Sequence, residues 1–214
     1  MAAAVDAALV RDWLTARSLA RGLPAPVADH GGYRVDTNSD TEIRRWVFPR
    51  VSAGLGELAR GISQPGYFIK LCGTADELCA ALPRAGWQIQ ASGYVMTGPG
   101  RADVPACPPG YEVEVERSGA VTYVKIVTAA GELAASGYGA ETADAFVFDR
   151  IATAPEHRRR GLGTAVMNTL RSAKTRAATP ELLVATEAGR ALYQTLGWQI
   201  LSPYSTGVIG AASI

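Results

Sequence analysis

The hydrophobic and polar positions along the first half of the chain predict alternating helices and strands. These elements are, in order, a helix that ends near Gly22, a strand over 33–37, a helix over 43–62 that is split or kinked at Pro49, a strand over 67–71, a helix over 74–82 and a strand or hairpin over 87–96. The two later helices each follow a Ser/Thr-x-x-Glu pattern, which is typical of a capping box.

The second half of the chain is richer in strand patterns. Strands are predicted over 111–116, 121–128, 133–139, 146–153 and 182–186, and helices from about Gly161 and within 187–198. Between the halves, residues 98–110 contain four prolines and three glycines, which is typical of a linker. We therefore predict an α/β (α+β) chain with an N-terminal α/β domain over 1–98, a linker over 99–110 and a C-terminal domain over 111–214.

A basic, glycine-containing loop joins a predicted strand to a predicted helix. It reads Arg-Arg-Arg-Gly-Leu-Gly over 158–163. Cations at the positive end of a helix dipole are unfavourable unless an anion binds there. The first-turn N–H groups lack partners within the helix, and Gly161 and Gly163 allow close approach to the backbone. The pattern predicts a phosphate site, with a solvated basic turn as the alternative.

Two common phosphate loops do not fit this sequence. A nucleoside triphosphate loop ends in Gly-Lys-Ser/Thr, whereas Thr164 and Ala165 follow Gly163. A dinucleotide fingerprint needs a small residue at Val166 and a shorter connection from the strand.

The loop resembles the coenzyme A signature Arg/Gln-x-x-Gly-x-Gly/Ala of the GCN5-related N-acetyltransferase (GNAT) family, with Arg158, Gly161 and Gly163 at its fixed positions. The resemblance extends upstream through residues 148–156. Downstream, residues 187–198 are similar to the family's Ala-x-x-Leu-Tyr-x-x-x-Gly-aromatic element. It covers about 105 residues and implies a GNAT-like central mixed sheet flanked by helices, without the two helices that usually follow the family's first strand.

The resemblance implies a role for each part of the site. Backbone groups of Ile151, Ala152 and Thr153 would bind the pantetheine arm of acetyl-coenzyme A. The pyrophosphate would be held by Arg158, Arg159, Arg160, Gly161, Leu162, Gly163 and Thr164. Thr186, where asparagine is common, would replace one pantetheine hydrogen bond. Tyr193 would protonate or hydrogen-bond the departing thiolate, although an aromatic residue at such a position also suits core packing.

A general base is harder to identify. Asp149 is the leading candidate because strand alternation would place it on the same face as Ile151. A surface or ion-paired Asp149, for example with Arg150 or Arg34, is the alternative, and Glu141 and Asp144 are weaker candidates.

Composition narrows the function classes. A net charge of +1 gives no argument for nucleic acid or for an anionic membrane surface. The three cysteines have no metal-ligand or disulfide spacing, so we expect a reducing cytoplasm and no metal. We see no signal peptide or membrane span. The sequence leaves open whether the protein forms a homodimer.

A short internal repeat links the two halves. Residues 86–89 read Gly-Trp-Gln-Ile, and so do residues 197–200. This is either a chance identity or the trace of a degenerate GNAT-like N-terminal half. Leu82 stands where the second copy has Tyr193, and the first half has no Arg-x-x-Gly-x-Gly loop. We therefore expect one cofactor site per chain, with the N-terminal half shaping the acceptor pocket.

The sequence predicts an acetyl-coenzyme A dependent N-acetyltransferase that acts on a small or amino-acid-like amine by direct attack in a ternary complex. Alternatives are a non-catalytic coenzyme A binding or sensing module, a peptide or protein N-acetyltransferase, and, more weakly, a dinucleotide oxidoreductase.

Overall fold

The computed structural model describes residues 5–100 and 107–210. The helices are α1 (Ala7–Ala20), α2 (Ala53–Gly61), α3 (Ala75–Ala81), α4 (Leu162–Ser172) and α5 (Glu187–Thr195), with a 3₁₀ turn at Pro155–His157. The strands are β1 (Val27–Asp29), β2 (Gly32–Asp36), β3 (Arg44–Phe48), β4 (Tyr67–Cys72), β5 (Trp87–Thr97), β6 (Tyr111–Ser118), β7 (Val121–Thr128), β8 (Leu133–Glu141), β9 (Phe146–Thr153), β10 (Glu181–Thr186) and β11 (Gln199–Ile209).

These strands form one mixed sheet of eleven strands, in the order β1-β2-β3-β4-β11-β5-β10-β9-β8-β7-β6. The predicted α/β class with a mixed sheet flanked by helices is therefore confirmed. Part of the predicted linker, residues 101–106, lies outside the described residues. The division of the chain into domains at this linker stays a prediction.

The predicted helix over 43–62 is wrong in its first part. Ser39 and Glu42 form a tight turn, in which the Ser39 N–H donates to the Glu42 carbonyl and the Glu42 N–H donates to Ser39 Oγ. This turn uses the Ser39 hydroxyl but only the backbone of Glu42, whose carboxylate pairs with Arg45 instead of capping a helix. The chain then enters β3, which pairs with β2 and β4. Three consecutive buried residues, Trp46–Phe48, fit a strand covered on both faces.

Three apolar clusters pack the helices against the sheet. Helix α4 covers one face of the C-terminal strands, with Phe146, Phe148 and Val166 in its cluster. Helix α1 covers the other face, where its Trp13 packs with Val147 and neighbouring residues. Helices α2 and α3 complete the N-terminal part around Phe48 and Leu78. A tight turn joins β6 directly to β7, so no helix between these strands covers this face of the C-terminal half. The first helix of the chain, α1, covers β8 and β9 instead.

The two halves share one order of elements and exchange their last strands. Strands β3 and β4 are parallel and joined by α2, and strands β9 and β10 are parallel and joined by α4. Each unit continues through a short helix into an eleven-residue strand, β5 or β11. However, β5 pairs with β10 and β11 pairs with β4, while β5 and β11 pair with each other. The chain therefore crosses between its halves twice at the centre of the sheet.

Candidate active site

A cleft opens where β9 and β10 diverge. These parallel strands pair only near their beginnings, with Glu181 opposite Phe146 and Leu182 opposite Val147. Beyond this point a cavity of about 620 Å³ lies between β9, α4 and α5. Its lining residues are Ile151, Ala152, Thr153, Arg158, Arg159, Gly161, Leu162, Gly163, Thr164, Ala188, Gly189, Leu192 and Tyr193. Most of the residues predicted for the site are thus brought together here.

The N-terminus of α4 carries free donors at this cleft. Asp6, Ser52, Thr74 and Thr186 cap the first turns of α1, α2, α3 and α5 with their side chains. Among the α-helices of the described residues, α4 alone has no side-chain cap. Its N-cap residue, Gly161, adopts a φ of +80°, which an L side chain rarely adopts. Within the described residues, no side chain therefore accepts from the first-turn N–H groups, and Leu162, Gly163 and Thr164 of this turn line the cleft, as an anion site requires.

Gly163 keeps the same part of the cleft open. A Cβ at this position would lie 3.2 Å from Leu192 Cδ2 and 3.8 Å from Thr153 Oγ1. These two atoms belong to the helix and the strand that flank α4 across the cleft. A side chain at Gly163 would therefore fill the space between them.

The three arginines of the loop have different positions. Arg158 and Arg159 line the cleft, and Arg158 Nε donates to the Thr153 carbonyl over 3.3 Å. Arg159 adopts a φ of +61°, a strained conformation for a long side chain. Arg160 instead donates to the Tyr111 hydroxyl over 2.9 Å and to the Glu156 carbonyl, and it does not line the cleft.

Tyr193 lies on α5 and is only 9% exposed. Burial raises the pKa of its hydroxyl to about 12, so the phenol stays protonated at neutral pH. Its ring also contacts Trp198, with centroids 6.1 Å apart. The residue therefore combines a packing role with a place on the cleft wall.

Helix α5 contributes residues that the sequence analysis missed. Ala188, Gly189 and Leu192 line the cleft together with Tyr193. Helical spacing was an available signal for Gly189 alone, which lies four positions before Tyr193 and so shares its face. Thr186, predicted to bind pantetheine, lies outside the lining. Its hydroxyl accepts from the Gly189 N–H over 3.1 Å and so caps α5.

The expectation that Asp149 shares a face with Ile151 is wrong. Strand β9 has a bulge at Arg150, whose φ is +53°, and the register against β8 shifts there. A bulge interrupts alternation, so Ile151 packs towards α4 while the side chain of Asp149 points towards α1.

Asp149 is also held by cations. Arg21 donates to it twice, at 2.6 and 2.9 Å, and Arg17 and Arg150 lie at 3.5 and 3.4 Å. Burial alone would raise the pKa of this carboxyl, but these cations bring it below its usual value. These ion pairs keep the carboxylate ionised and already bound to donors, so Asp149 is poorly suited to accept a proton as a general base.

The weaker base candidates lie at the other end of β9. Glu141 accepts from the backbone N–H groups of Thr175 and Arg176, and Asp144 belongs to the turn before β9. Neither lines the cleft.

Within residues 5–100 and 107–210, we find no group of three or more His, Cys, Asp or Glu side chains placed to hold a metal ion. In the same ranges, every helix is too short or too polar to cross a bilayer.

Comparison with known proteins identifies what part of the chain is similar to a known family. Residues 118–200 match the family model of the acetyltransferase (GNAT) domain. No curated protein matches the chain.

Solved structures extend the likeness to nearly the whole chain. A GCN5-related N-acetyltransferase from Kribbella flavida is similar over 99% of this chain and 98% of its own, with 17% identity and a TM-score of 0.68. A GNAT-family protein from Novosphingobium aromaticivorans is similar over 97% and 100%, with 18% identity and a TM-score of 0.60. A tandem GNAT protein from the clavulanic acid biosynthesis pathway is similar over 74% and 68%, with 18% identity and a TM-score of 0.51. At such low identity these likenesses show a shared fold. Residues 118–200 are thus similar to the GNAT acetyltransferase domain, and the chain as a whole has the GNAT fold.

Proposed function

We propose that the protein is an acetyl-coenzyme A dependent N-acetyltransferase with one cofactor site per chain and a small or amino-acid-like amine as acceptor. The observation that carries the proposal is the uncapped N-terminus of α4, which opens with two arginines onto the cleft between β9 and α5. This combination offers backbone donors and positive charge to a diphosphate.

The shape of the cleft suits coenzyme A. Gly161 and Gly163 leave room for a pyrophosphate against the helix N-terminus, and Arg158 and Arg159 are placed to neutralise its charge. The divergence of β9 from β10 leaves backbone groups of residues 151–153 without partners on β10. These groups would hydrogen-bond an amide-containing arm.

The chain's own residues then account for the transfer step. The amine would attack the thioester carbonyl directly, and backbone N–H groups near Ile151 would stabilise the developing oxyanion. Tyr193, protonated by virtue of its raised pKa, would give its proton or a hydrogen bond to the departing sulfur. No acyl-enzyme is needed.

In the described part of the N-terminal half, the corresponding strands β3 and β4 do not open an equivalent cleft. Strands β3 and β4 stay paired from Arg44 opposite Tyr67 to Phe48 opposite Leu71, over the full length of β3. There is no divergence between them for an arm to enter. This supports a single cofactor site in the C-terminal half.

One observation favours a second candidate, a coenzyme A binding module without turnover. No carboxylate or histidine is among the described residues that line the cleft, so a general base would have to act through water. The module would bind acetyl-coenzyme A but release no thiol with any amine.

The test combines calorimetry with a thiol-release assay over amines, amino acids, polyamines and aminoglycosides. We expect acetyl-coenzyme A to bind, and the double variant Arg158→Ala/Arg159→Ala to bind it at least tenfold more weakly. The double variant Arg50→Ala/Arg84→Ala, at two exposed arginines outside the cleft, serves as a matched control of equal charge loss. Absence of binding to the unmodified chain would overturn the proposal, and binding without turnover would favour the second candidate.

A further inference from the structure

The edge strand β6 begins with an aromatic residue that lies beside the cofactor loop. Residues 112–118 of this strand are exposed, whereas its first residue, Tyr111, is half-buried and packs against the apolar cluster that α4 covers. The segment that leads into Tyr111 also lies along the loop, because a Cβ built at Gly161 would be 3.8 Å from Pro108 Cγ. The start of β6 therefore contacts the loop from outside the cleft.

The hydroxyl of Tyr111 joins the 3₁₀ turn to the loop that follows it. Arg160 Nη1 donates to this hydroxyl over 2.9 Å, and His157 Nδ1 lies 3.0 Å from it. Because an arginine only donates, the hydroxyl accepts from Arg160 and keeps its own proton to give to His157. The rings of Tyr111 and His157 also contact each other edge to face, with centroids 5.6 Å apart. One phenol thus holds two residues at this end of the cleft.

The residues on both sides of Arg159 are held by hydrogen bonds. Besides its bond to the phenol, Arg160 donates through Nη2 to the Glu156 carbonyl over 3.2 Å. Arg158 Nε donates to the Thr153 carbonyl over 3.3 Å. Arg159 therefore lies between one arginine that is fixed to β9 and another that is fixed to the 3₁₀ turn and to β6.

Arg159 needs this support because its backbone is strained. Its φ of +61° is left-handed, which is unfavourable for a residue with a side chain, whereas Gly161 adopts its φ of +80° freely. A residue keeps such a conformation only where its surroundings fix it. Since Arg159 lines the cleft in this conformation, the bonds of its neighbours keep its charge on the cleft wall.

We propose that Tyr111 is a positioning residue for acetyl-coenzyme A, which keeps Arg159 at the cleft by fixing the neighbouring Arg160. This inference rests on the proposed function and adds to it a residue that does not itself line the cleft. Arg160, which the sequence analysis assigned to the pyrophosphate, is then the link between Tyr111 and Arg159.

The first test removes only the hydroxyl, because Tyr111→Phe keeps the ring and its contacts. By calorimetry, we expect the dissociation constant for acetyl-coenzyme A to rise about three- to tenfold, the modest effect of one lost hydrogen bond. In steady-state kinetics, KM for acetyl-coenzyme A should rise while kcat is retained. The control is Tyr67→Phe, whose ring packs against Trp46 in the N-terminal half and which should change none of these quantities.

The second test separates positioning of Arg159 from any other effect of the phenol. Arg159→Gly adopts a positive φ without support and has no side chain to position. In this background Tyr111→Phe should change the affinity less than about twofold, whereas in the Arg158→Ala background its full effect should remain. A role of the phenol in folding alone would instead give the same loss in both backgrounds.

The outcomes distinguish this inference from the proposed function. The inference is overturned if Tyr111→Phe binds acetyl-coenzyme A as tightly as wild type, or if its effect is equally large in the Arg159→Gly background. In both cases the proposed function stands as long as Arg158→Ala/Arg159→Ala weakens binding. Failure of the unmodified chain to bind acetyl-coenzyme A would overturn both.

Discussion

The packing role and the proposed catalytic role of Tyr193 can be tested separately, because the ring makes the packing contacts and the hydroxyl would carry the chemistry. Tyr193→Phe keeps the ring against Trp198 and removes only the hydroxyl. We expect the turnover number to fall about 100-fold or more, the usual size of a lost general acid, with an unchanged dissociation constant for acetyl-coenzyme A. Steady-state kinetics and calorimetry measure these two quantities.

The pKa of Tyr193 adds a second, independent readout. Because burial raises the pKa to about 12, this phenol should cause no loss of activity below about pH 11. Tyr123→Phe is the matched control, since Tyr123 stacks on Tyr138 away from α4. If the phenylalanine variant of Tyr193 turned over normally, its hydroxyl would have no role in the transfer step.

Lys70 should make stability depend on pH. Its pKa in the folded chain is about 8, against 10.5 for the ordinary side chain. Between these values the unfolded chain binds more protons, so wild-type stability should rise with pH. At pH 7, Lys70→Met should therefore be the more stable form, by about 1–2 kcal/mol after allowance for the partial exposure of the lysine.

Urea denaturation at several pH values measures this difference. The advantage of Lys70→Met should shrink as the pH rises from 8 and vanish near 10.5. A stability difference that stays constant over this range would mean that the folded pKa of Lys70 is not lowered.

The face on which Asp149 lies was predicted wrongly, because the sequence does not indicate the bulge beside it. Strict alternation would place it beside Ile151, and the sequence Phe-Asp-Arg-Ile has no glycine to indicate a bulge at Arg150. The bulge is stabilised by tertiary contacts, since the Arg150 guanidinium lies 3.7 Å from the Tyr138 ring and bonds to the end of α1. Partners so distant along the chain leave no local pattern.

Among the elements, the loop and helix of the cofactor site were the most predictable part of the fold. Strand β9 was predicted with its observed bounds, and α4 begins where the glycines predict. The glycines, the helical spacing and the arginines all lie within about fifteen residues, so the signal is local. Strand β3 was predicted as helix because the Ser-x-x-Glu pattern before it occurs both at the start of helices and in turns. Only the pairing of β3 with β2 and β4 decides that a strand follows.

Gly163 tests whether the opening beside α4 serves the cofactor. In Gly163→Val, the new side chain would lie between Leu192 and Thr153 and fill the cleft. We expect the affinity for acetyl-coenzyme A to fall at least tenfold, with a melting temperature close to wild type, because Leu192 is partly exposed and free to adjust. Calorimetry and a thermal melt measure the two effects.

A matched glycine provides the control for this substitution. Gly61 ends α2, and no atom lies within 4 Å of a Cβ built there. Gly61→Val should therefore leave cofactor affinity unchanged. Equal affinity for acetyl-coenzyme A in both variants would show that the cofactor does not pass by Gly163.

At the scale of the whole molecule, the strand exchange explains why a short repeat in the sequence is informative. Gly86 and Gly197 both adopt a positive φ, at +86° and +81°, and each turns the chain from a helix into a central strand. The pairing is symmetric as well, with Gln88 opposite Val208 and Thr97 opposite Gln199. The sequence suggested two similar halves, but the exchange itself depends on pairing between distant strands and has no sequence signature.

The exchange also predicts how the chain responds to being divided. Fragments 1–98 and 99–214 would each lose the partners of a central strand, because β5 lies between β10 and β11. The second fragment would also expose Leu182 and Val147, which α1 covers in the intact chain. Unpaired apolar strand edges of this kind are unstable in water. We therefore expect neither fragment to unfold cooperatively alone, and a one-to-one mixture to recover the cooperative transition of the intact chain. Circular dichroism melts and sedimentation measure this, and a cooperative melt of either fragment alone would mean that its half folds without the exchanged strand.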